Sequence, residues 1–254
     1  MANVSERHKI IIEELKRTGY VRVKELSEKL NVSEVTIRKD LKKLENRKML
    51  YRNHGSANSV SSIIGERHID EKEKIRIEEK TLIAKAATEL LDYDDKVIIA
   101  SGTTLLAFAR EIREDKPLTV ITSSIKVSIA LCYNPSIEVI QLGGVMRKKA
   151  ASVIGNYAEK ALDELVCNKL FIGVDGIDLD YGLTTSNLGE AHLNQKMINA
   201  AQKIIVLCDS SKFGKKGFSK ICNFDMIHHI ITDSNAPSNI IEMIKEKGIE
   251  VTLV

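Results

Sequence analysis

Seven short aliphatic runs follow one another after residue 95, and amphipathic segments separate them. The runs are KVIIAS, LTVITS, IEVIQLGG, KLFIGVDGID, KIIVLCD, HHIITD and EVTLV. They lack the alternation of apolar and polar residues that marks a strand with one face in water, so they predict strands covered on both faces. Alternation of such strands with helices is typical of a mainly parallel α/β sheet, and the sequence predicts one here.

The first 57 residues have a different pattern, in which helices precede a pair of strands. Helical spacing places Ile37, Leu41 and Leu44 on one face of a helix that Ser33 caps. Two short helices are predicted before it, and MLYRNHGSA after it predicts a strand, a tight turn and a returning strand. This order of elements predicts a winged helix-turn-helix domain.

Charge is unevenly spread along the chain. Residues 1–56 contain 14 Lys and Arg against 8 Asp and Glu, whereas the whole chain has a net charge of only +3. A basic head on a mildly acidic body indicates an acidic partner, and double-stranded DNA is the commonest one. A solvated basic helix in some other three-helix unit is the alternative.

The predicted DNA contacts lie in the wing and on the face of the third helix opposite its apolar residues. Such a helix fits the major groove, where its polar residues reach base edges and its Lys and Arg meet phosphates. The candidates are Ser33, Val35, Thr36, Arg38, Lys39, Lys42, Lys43, Arg52 and His54. One small wing domain rarely buries enough surface for specific binding, so a homo-oligomer, a dimer or tetramer on paired half-sites, is expected.

Small polar residues follow several of the predicted strands of the body, at the strand ends where α/β sheets bind ligands. The loop Ser101-Gly102-Thr103-Thr104 leads from a strand into a helix, whose free N–H groups favour an anion such as phosphate. Asp175 and Asp178 can accept hydrogen bonds from sugar hydroxyls, although Asp178 beside a glycine turn can also be a turn former. The remaining candidates for a sugar-phosphate site are Thr122, Ser123, Gly143, Gly144, Asp209 and Lys212.

Other classes of protein fit the sequence poorly. No apolar run approaches the roughly 20 residues of a membrane span, and the first residues lack the apolar core of a signal peptide, which predicts a cytoplasmic protein without a membrane partner. The four cysteines lie far apart and form no CxxC pair, and no histidine cluster is present. We therefore predict no metal, no cofactor and no catalytic residue.

The domain boundaries follow from these patterns. The predicted winged domain covers residues 1–57, a serine-rich and charged linker covers 58–74, and the α/β domain covers 75–254. From Asp70 onward the sequence predicts one helix. Its apolar stripe is Ile75, Leu82, Ile83, Ala86, Ala87 and Leu90.

The head resembles the DNA-binding domain of the DeoR family of bacterial sugar-metabolism regulators. The family pattern is a Ser, two residues, Thr-Ile-Arg-Arg-Asp-Leu, and later Leu-x-Arg-x-His-Gly-Gly, and this chain has SEVTIRKDL and LYRNHGS. It departs from the pattern at Lys39 and Ser56. Because Lys lacks the paired donors with which Arg reads guanine, Lys39 is interpreted as a phosphate contact.

The body resembles the sensor domain of the same family, since SGTT, GG, GVDGID and DSSKFG occur in family order. It departs at Ala100 and Ser123, and YGLTTSNLGEAHLNQKMI is most similar to the branch that regulates N-acetylgalactosamine and related sugars. The resemblance implies a sequence-specific transcriptional repressor of a sugar-catabolism operon that a phosphorylated sugar releases from operator DNA. An activator with the same architecture is an open alternative.

The main rival function is an enzyme, because the family's sensor fold is similar to ribose-5-phosphate isomerase. Enediol chemistry needs a carboxylate base and a cation near the developing oxyanion. The isomerase follows its aspartates with a Lys and Gly-rich run and then a Glu, whereas this chain has Thr185, Ser186 and Gln195 near those places, with Glu190 close by. We therefore expect a binding pocket rather than a catalytic one.

Overall fold

A computed structural model of the chain describes residues 4–18, 20–47, 49–53, 56–59, 68–113 and 116–254. The chain divides into two compact units, residues 1–65, here called the head, and residues 66–254, here called the body. The predicted contact His54 and residues 60–67 of the predicted linker lie outside the described residues. Residues 69–73 of that linker are helical and belong to the body.

The described part of the head contains three helices and a three-stranded antiparallel sheet with strand order β1-β3-β2. Its elements are α1 (Val4–Thr18), β1 (Tyr20–Arg22), α2 (Val23–Leu30), α3 (Glu34–Asn46), β2 (Leu50–Asn53) and β3 (Ser56–Ser59). The predicted winged helix-turn-helix is confirmed. Strand β1 is an addition, because three residues carry too little pattern to predict a strand.

Short apolar segments hold the head together. Ile37, Leu41 and Leu44 of α3 are at most 1% exposed and pack in one cluster with Ile11 of α1 and Leu26 of α2. The break between α2 and α3 is a left-handed residue at Asn31, with φ of 50°, a conformation that Asn tolerates better than most residues. The predicted core face of the third helix is confirmed.

A seven-stranded sheet, in which every pair of neighbouring strands is parallel, forms the middle of the body. Its strands are β4 (Asp95–Ile99), β5 (Leu118–Thr122), β6 (Ile137–Gln141), β9 (Cys167–Ile172), β12 (Ala201–Leu207), β14 (His229–Thr232) and β15 (Glu250–Leu253). The strand order is β15-β14-β12-β9-β4-β5-β6. Each of the seven predicted runs supplies one strand of this sheet, so the parallel α/β body is confirmed.

Helices cover both faces of this sheet. One apolar cluster joins the sheet to α5 (Ile77–Thr88), α6 (Thr103–Glu111) and α7 (Ile125–Leu131). The other joins it to α8 (Asn156–Leu162), α9 (Leu188–Asn199) and α10 (Ser238–Glu246). Adjacent residues of one strand, such as Val97 and Ile98, belong to opposite clusters, as the two-residue side-chain period of a strand requires.

Two smaller sheets lie outside the predicted pattern. A hairpin joins β7 (Val145–Arg147) to β8 (Ser152–Ile154), and a three-stranded sheet joins β10 (Gly176–Asp178), β11 (Gly182–Thr185) and β13 (Ser219–Cys222). Gly144 has φ of 153°, and a Cβ there would lie 2.5 Å from the carbonyl oxygen of Ile154. Only glycine therefore fits where the hairpin begins.

The single helix predicted from Asp70 is wrong. The structure has α4 (Ile69–Glu73) and α5, separated by a corner at Arg76, which is left-handed with φ of 55°. The buried ammonium of Lys80 donates to the carbonyl oxygens of Lys72 and Ile75 at 2.5 and 2.6 Å, and so satisfies backbone groups that a continuous helix would have used. Ile75 of the predicted stripe is 45% exposed at this corner.

Candidate nucleic-acid interface and anion site

The outer face of α3 is polar, basic and exposed. Ser33 caps the helix, since its hydroxyl oxygen accepts a hydrogen bond from the N–H of Thr36 at 3.3 Å. Val35 is 59% exposed. Lys39, Lys42 and Lys43 are also exposed, on the side of the helix away from the head core. The structure therefore gathers all the α3 candidates at one surface.

The two candidate arginines of the head each have an acidic partner. The guanidinium of Arg38 lies 2.8 Å from Glu34, one turn earlier in the same helix. Arg52 of β2 lies 2.6 Å from Glu45 through Nε and also donates its backbone N–H to that carboxylate at 3.0 Å. These bonds hold the pKa of Glu45 below its usual range. Each of the two guanidinium groups therefore already has a carboxylate partner, with which a phosphate or a base would compete.

Asp40 is a residue of α3 whose role the sequence did not reveal. Its carboxylate is buried and accepts from Arg7 Nε at 2.8 Å, and it lies 3.2 Å from His8 Nε2. The contact raises the pKa of Arg7, chiefly through the hydrogen bond to Asp40. Asp40 therefore fixes the orientation of the helix relative to α1.

The candidate site of the body lies where the strand order changes direction. From β4 the chain adds β5 and β6 on one side and then crosses to β9 on the other, so the loops after β4 and β9 diverge. Such a switch point is where open α/β sheets bind ligands. Gly102, with φ of 141°, precedes α6 without a capping side chain, which leaves the first N–H groups of Thr103 and Thr104 available to an anion.

Asp175, just after β9, is the centre of the site. One carboxylate oxygen, Oδ1, accepts from Lys72 of α4 at 2.9 Å. The other, Oδ2, accepts from the N–H of Ser186 at 3.0 Å and lies 3.3 Å from the hydroxyl oxygen of Thr185. Burial would raise the pKa of Asp175, but the charges of Lys72 and Lys212 outweigh it and hold the pKa well below its usual range. The group is therefore an ionised acceptor.

Glu190 of α9 extends this network. It accepts from the hydroxyl of Ser101 at 2.9 Å and from the hydroxyl of Thr185 at 2.5 Å. Arg147, at the end of β7, lies 2.9 Å from the same Glu190 oxygen that accepts from Ser101. Ser101 was predicted as a site residue, and the structure connects it through Glu190 and Thr185 to Asp175.

Asp209 and Lys212 form the third part of the site, after β12. Asp209 caps a short 3-10 turn by accepting from the N–H of Ser211 at 2.9 Å, and it lies 3.6 Å from Arg76 Nε. Burial alone would raise the pKa of Asp209, but the charge of Lys212 and the hydrogen bond from Ser211 outweigh this effect. The pKa of Asp209 is therefore lowered. Lys212 is partly exposed and acts on both Asp175 and Asp209 through its charge.

Several predicted residues have local structural contacts instead. Thr122 and Ser123 are buried, and the Thr122 hydroxyl accepts from the N–H of Ser124 at 3.0 Å. Gly144 opens the β7–β8 hairpin, and Gly143 precedes it. Asp178 accepts from the N–H of Tyr181 at 2.8 Å, which is the contact expected of a turn former. The structure does not join these residues to the Asp175 network.

Five charged residues of the site were not predicted. They are Lys72, Arg76, Lys80, Arg147 and Glu190, and the sequence shows the first three as part of an ordinary charged helix surface. Only Glu190 carried a signal, because it lies three residues after its helix cap Asn187 and near the expected position of a carboxylate. Among the described residues, the site brings five cations, Lys212 included, together with the carboxylates Asp175, Glu190, Asp209, Glu79 and Asp233. Both charges are therefore at hand, the cations to meet an anion and the carboxylates to accept from hydroxyl groups.

No described helix is long and apolar enough to cross a membrane. No group of three or more His, Cys, Asp or Glu side chains in the described ranges is placed to hold a metal ion.

Comparison with known proteins agrees with both units. Residues 7–63 match the model of the DeoR-like helix-turn-helix domain, and residues 75–234 match that of the DeoR C-terminal sensor domain. The "Putative aga operon transcriptional repressor" of Escherichia coli O157:H7 is 37% identical over 100% of this chain and 95% of its own length. The "Lactose phosphotransferase system repressor" of Staphylococcus epidermidis is 35% identical over 86% of this chain and 88% of its own length.

Among solved structures, ribose 5-phosphate isomerase A from Methanocaldococcus jannaschii aligns over 53% of each chain, with 20% identity and a TM-score of 0.40. The two family models, by contrast, account for both units, and the relatives extend over nearly the whole chain. The chain belongs to the DeoR family of helix-turn-helix transcriptional regulators.

Proposed function

We propose that the protein represses a sugar-catabolism operon by binding operator DNA through its head and that a phosphorylated sugar, bound in the body, releases it. The observation that carries the first half is the outer face of α3, where Val35, Lys39, Lys42 and Lys43 are exposed opposite a fully buried apolar face. This is the geometry that places base-reading and phosphate-binding side chains in a major groove. Relatives named as repressors of the aga operon and of the lactose phosphotransferase system support the direction of regulation.

The effector half of the proposal rests on the Asp175 network. The uncapped N-terminus of α6 and Lys212 can meet a phosphate, while Asp175 and Asp209 can accept hydrogen bonds from sugar hydroxyls. An ionised carboxylate beside a cation is a strong acceptor in a partly buried site. A sugar phosphate, with hydroxyls at one end and a dianion at the other, matches both halves of this arrangement.

Two binding measurements test the proposal. A duplex selected from a random library with the full-length protein gives an operator, and fluorescence anisotropy at fixed salt gives its dissociation constant. A thermal-shift panel of glycerol 3-phosphate, ribose 5-phosphate, glucose 6-phosphate and galactosamine 6-phosphate tests the body, since a ligand at 100 times its dissociation constant adds about 2.7 kcal/mol of stability. A bound panel member that strengthens operator binding would favour an activator.

A retained isomerase is the second candidate, favoured by the presence of Glu190 beside Ser101 and Thr185. The carboxylate is a poor general base here, because Ser101 donates to one oxygen, Thr185 donates to the other and Arg147 pairs with it. Gln195 lies at the surface and donates to the carbonyl of Lys220 at 3.3 Å. Formation of ribulose 5-phosphate from ribose 5-phosphate, abolished by Glu190→Gln, would replace the sensor with an enzyme.

A further inference from the structure

The segment of residues 68–76, here called the corner segment, contains α4 and the left-handed turn that follows it. Its helix has five residues, which is too short to be stable in water without tertiary contacts. The conformation of this segment therefore depends on its hydrogen bonds and ion pairs to the rest of the body.

Contacts away from the site hold the outer side of the corner segment. The N–H of Ile69 donates to the carbonyl of Lys149 at 2.7 Å. Lys126, on α7, donates to Asp70 at 2.5 Å and to Glu73 at 2.8 Å, and Arg110 also lies 2.7 Å from Glu73. These ion pairs are partly exposed, so each adds little stability alone.

The inner side of the corner segment is held by the site itself. Lys72 donates to Asp175 Oδ1 at 2.9 Å, and Arg76 donates to the hydroxyl of Ser210 at 3.2 Å and lies 3.6 Å from Asp209. Arg76 makes these contacts from a left-handed backbone conformation, which costs a non-glycine residue free energy and persists only where its surroundings hold it. Asp175 and Asp209, from two different strand ends, thus both bind this one segment.

Among the described residues, Lys72 is the donor to Asp175 Oδ1, whereas the N–H of Ser186 donates to Oδ2. A sugar hydroxyl that donates to Asp175 Oδ1 must therefore share or replace the bond from Lys72. Loss of that bond removes the side-chain contact of α4 with Asp175 and leaves the bond from Lys80 to the carbonyl of Lys72. Lys72 is then a partly buried cation without that carboxylate, which weakens the packing of α4 on the body. Ligand binding and the position of α4 are linked by this competition.

We propose that the corner segment is a ligand-responsive switch, in which a sugar hydroxyl replaces Lys72 as the donor to Asp175 Oδ1 and α4 then leaves the body. The proposal rests on the proposed function, in which the bound sugar phosphate lowers operator affinity. The state with α4 packed on the body is accordingly the one that binds DNA. In sequence, α4 follows directly on the residues that connect the head to the body, so its release changes the connection to the head.

Two variants loosen α4 from opposite sides. Lys72→Met removes the contact to the site, and Lys126→Met removes the contacts to Asp70 and Glu73 without touching a predicted ligand group. Both should raise the operator dissociation constant in the absence of ligand, by about 5- to 50-fold, and lower the dissociation constant of the panel member with the largest thermal shift by a similar factor, since coupling is reciprocal. Lys74→Met, an exposed lysine of the same segment, should change neither constant.

Hydrogen exchange gives a readout that needs neither DNA nor ligand. The amide of Ile69 should exchange faster in Lys72→Met and in Lys126→Met than in the parent protein or in Lys74→Met, with circular dichroism confirming that all four are folded. Unchanged exchange in the first two would overturn the switch even if the parent bound no operator. Weaker ligand binding in Lys72→Met, with Lys126→Met unchanged, would make Lys72 a ligand contact and also overturn it. A parent protein that binds neither operator nor any panel member would instead contradict the proposed function.

Discussion

Asp40, on the buried side of α3, accepts a hydrogen bond from Arg7 Nε of α1 at 2.8 Å, so an ion pair fixes the helix that presents the basic face. The carboxylate is only 2% exposed, and its removal takes a buried charged acceptor from both Arg7 and His8. We expect Asp40→Ala to destabilise the head by about 3 kcal/mol. Calorimetry of the full chain measures the loss, and Asp40→Asn, which keeps one acceptor, should lose less. Equal stability of Asp40→Ala and the parent would contradict the structural role of the pair.

Arg38 and Lys43 lie on the same exposed surface but should act differently. Arg38→Ala should cost about 1–3 kcal/mol of operator affinity and relax preference at one base pair, because a guanidinium can read guanine with two bonds. Lys43→Ala should weaken binding to every sequence and reduce the salt dependence, as loss of one phosphate contact does. Anisotropy titrations on operator and scrambled duplexes measure both effects. Lys85→Ala, an exposed lysine of α5 in the body, is the control.

Lys212 should separate sensing from DNA binding. Its charge acts on Asp175 and Asp209 in the site, and loss of a charge-assisted contact to phosphate should weaken effector binding by on the order of 1.5–3 kcal/mol. Lys212→Ala should then remain on operator DNA at effector concentrations that release the parent protein. Lys216→Ala, which removes an exposed ammonium paired with Asp178 at 3.3 Å, should respond normally. A normal release curve for Lys212→Ala would remove Lys212 from the site.

Lys80 should give the body a pH-dependent stability in the alkaline range. Burial lowers the pKa of Lys80 to about 8, so between pH 8 and its ordinary value near 10.5 the unfolded chain binds more protons than the folded one. The free energy of unfolding therefore rises with pH across that window, by up to about 3 kcal/mol. The cost of burying the charged ammonium is fully present below pH 8 and disappears as the folded protein's Lys80 loses its proton. The difference in unfolding free energy between the parent and Lys80→Met, measured by urea titration from pH 7 to 10, should show this rise. A difference that is flat with pH would contradict it.

Ala151, in the β7–β8 hairpin, has a left-handed backbone conformation with φ of 46°. Replacement by glycine should remove the steric strain of that conformation. A left-handed non-glycine residue costs roughly 1–2 kcal/mol, of which the extra freedom of glycine in the unfolded chain cancels about half. Ala151→Gly should therefore stabilise the protein by about 0.5–1 kcal/mol. Ala150→Gly, at the neighbouring position without a positive φ, should destabilise it instead. Thermal unfolding of the two variants tests the difference in sign.

The sequence predicted those helices and strands in which buried apolar residues recur at a regular spacing. The spacing of Ile37, Leu41 and Leu44 was enough to orient α3, and the seven aliphatic runs were enough to identify the strands of the sheet. Such patterns are visible in the sequence because the same spacing of apolar residues repeats along the whole length of a helix or strand. The strand ends also predicted Ser101, Asp175 and the Asp209 loop as candidates, and the structure brings these residues to neighbouring positions.

The rest of the site could not be predicted, because its partners are distant in sequence and carry no local pattern. Lys72 and Arg76 look like solvated charges until the fold brings them to Asp175 and Asp209. The break at Arg76 also has no sequence signal, since it depends on backbone carbonyls that Lys80 satisfies from the next helix. Asp178, conversely, has the sequence of a ligand-binding residue but the contacts of a turn.

The pairing of β4 with β9 has a consequence for the order of events during synthesis. These two central strands are far apart in the chain, and a parallel sheet of this kind forms slowly because distant segments must meet before any contact stabilises them. The head, in contrast, is built from neighbouring segments and emerges from the ribosome first. We expect a nascent chain to have a folded head before β9 has been translated, so the helix-turn-helix fold is complete before the sugar site exists.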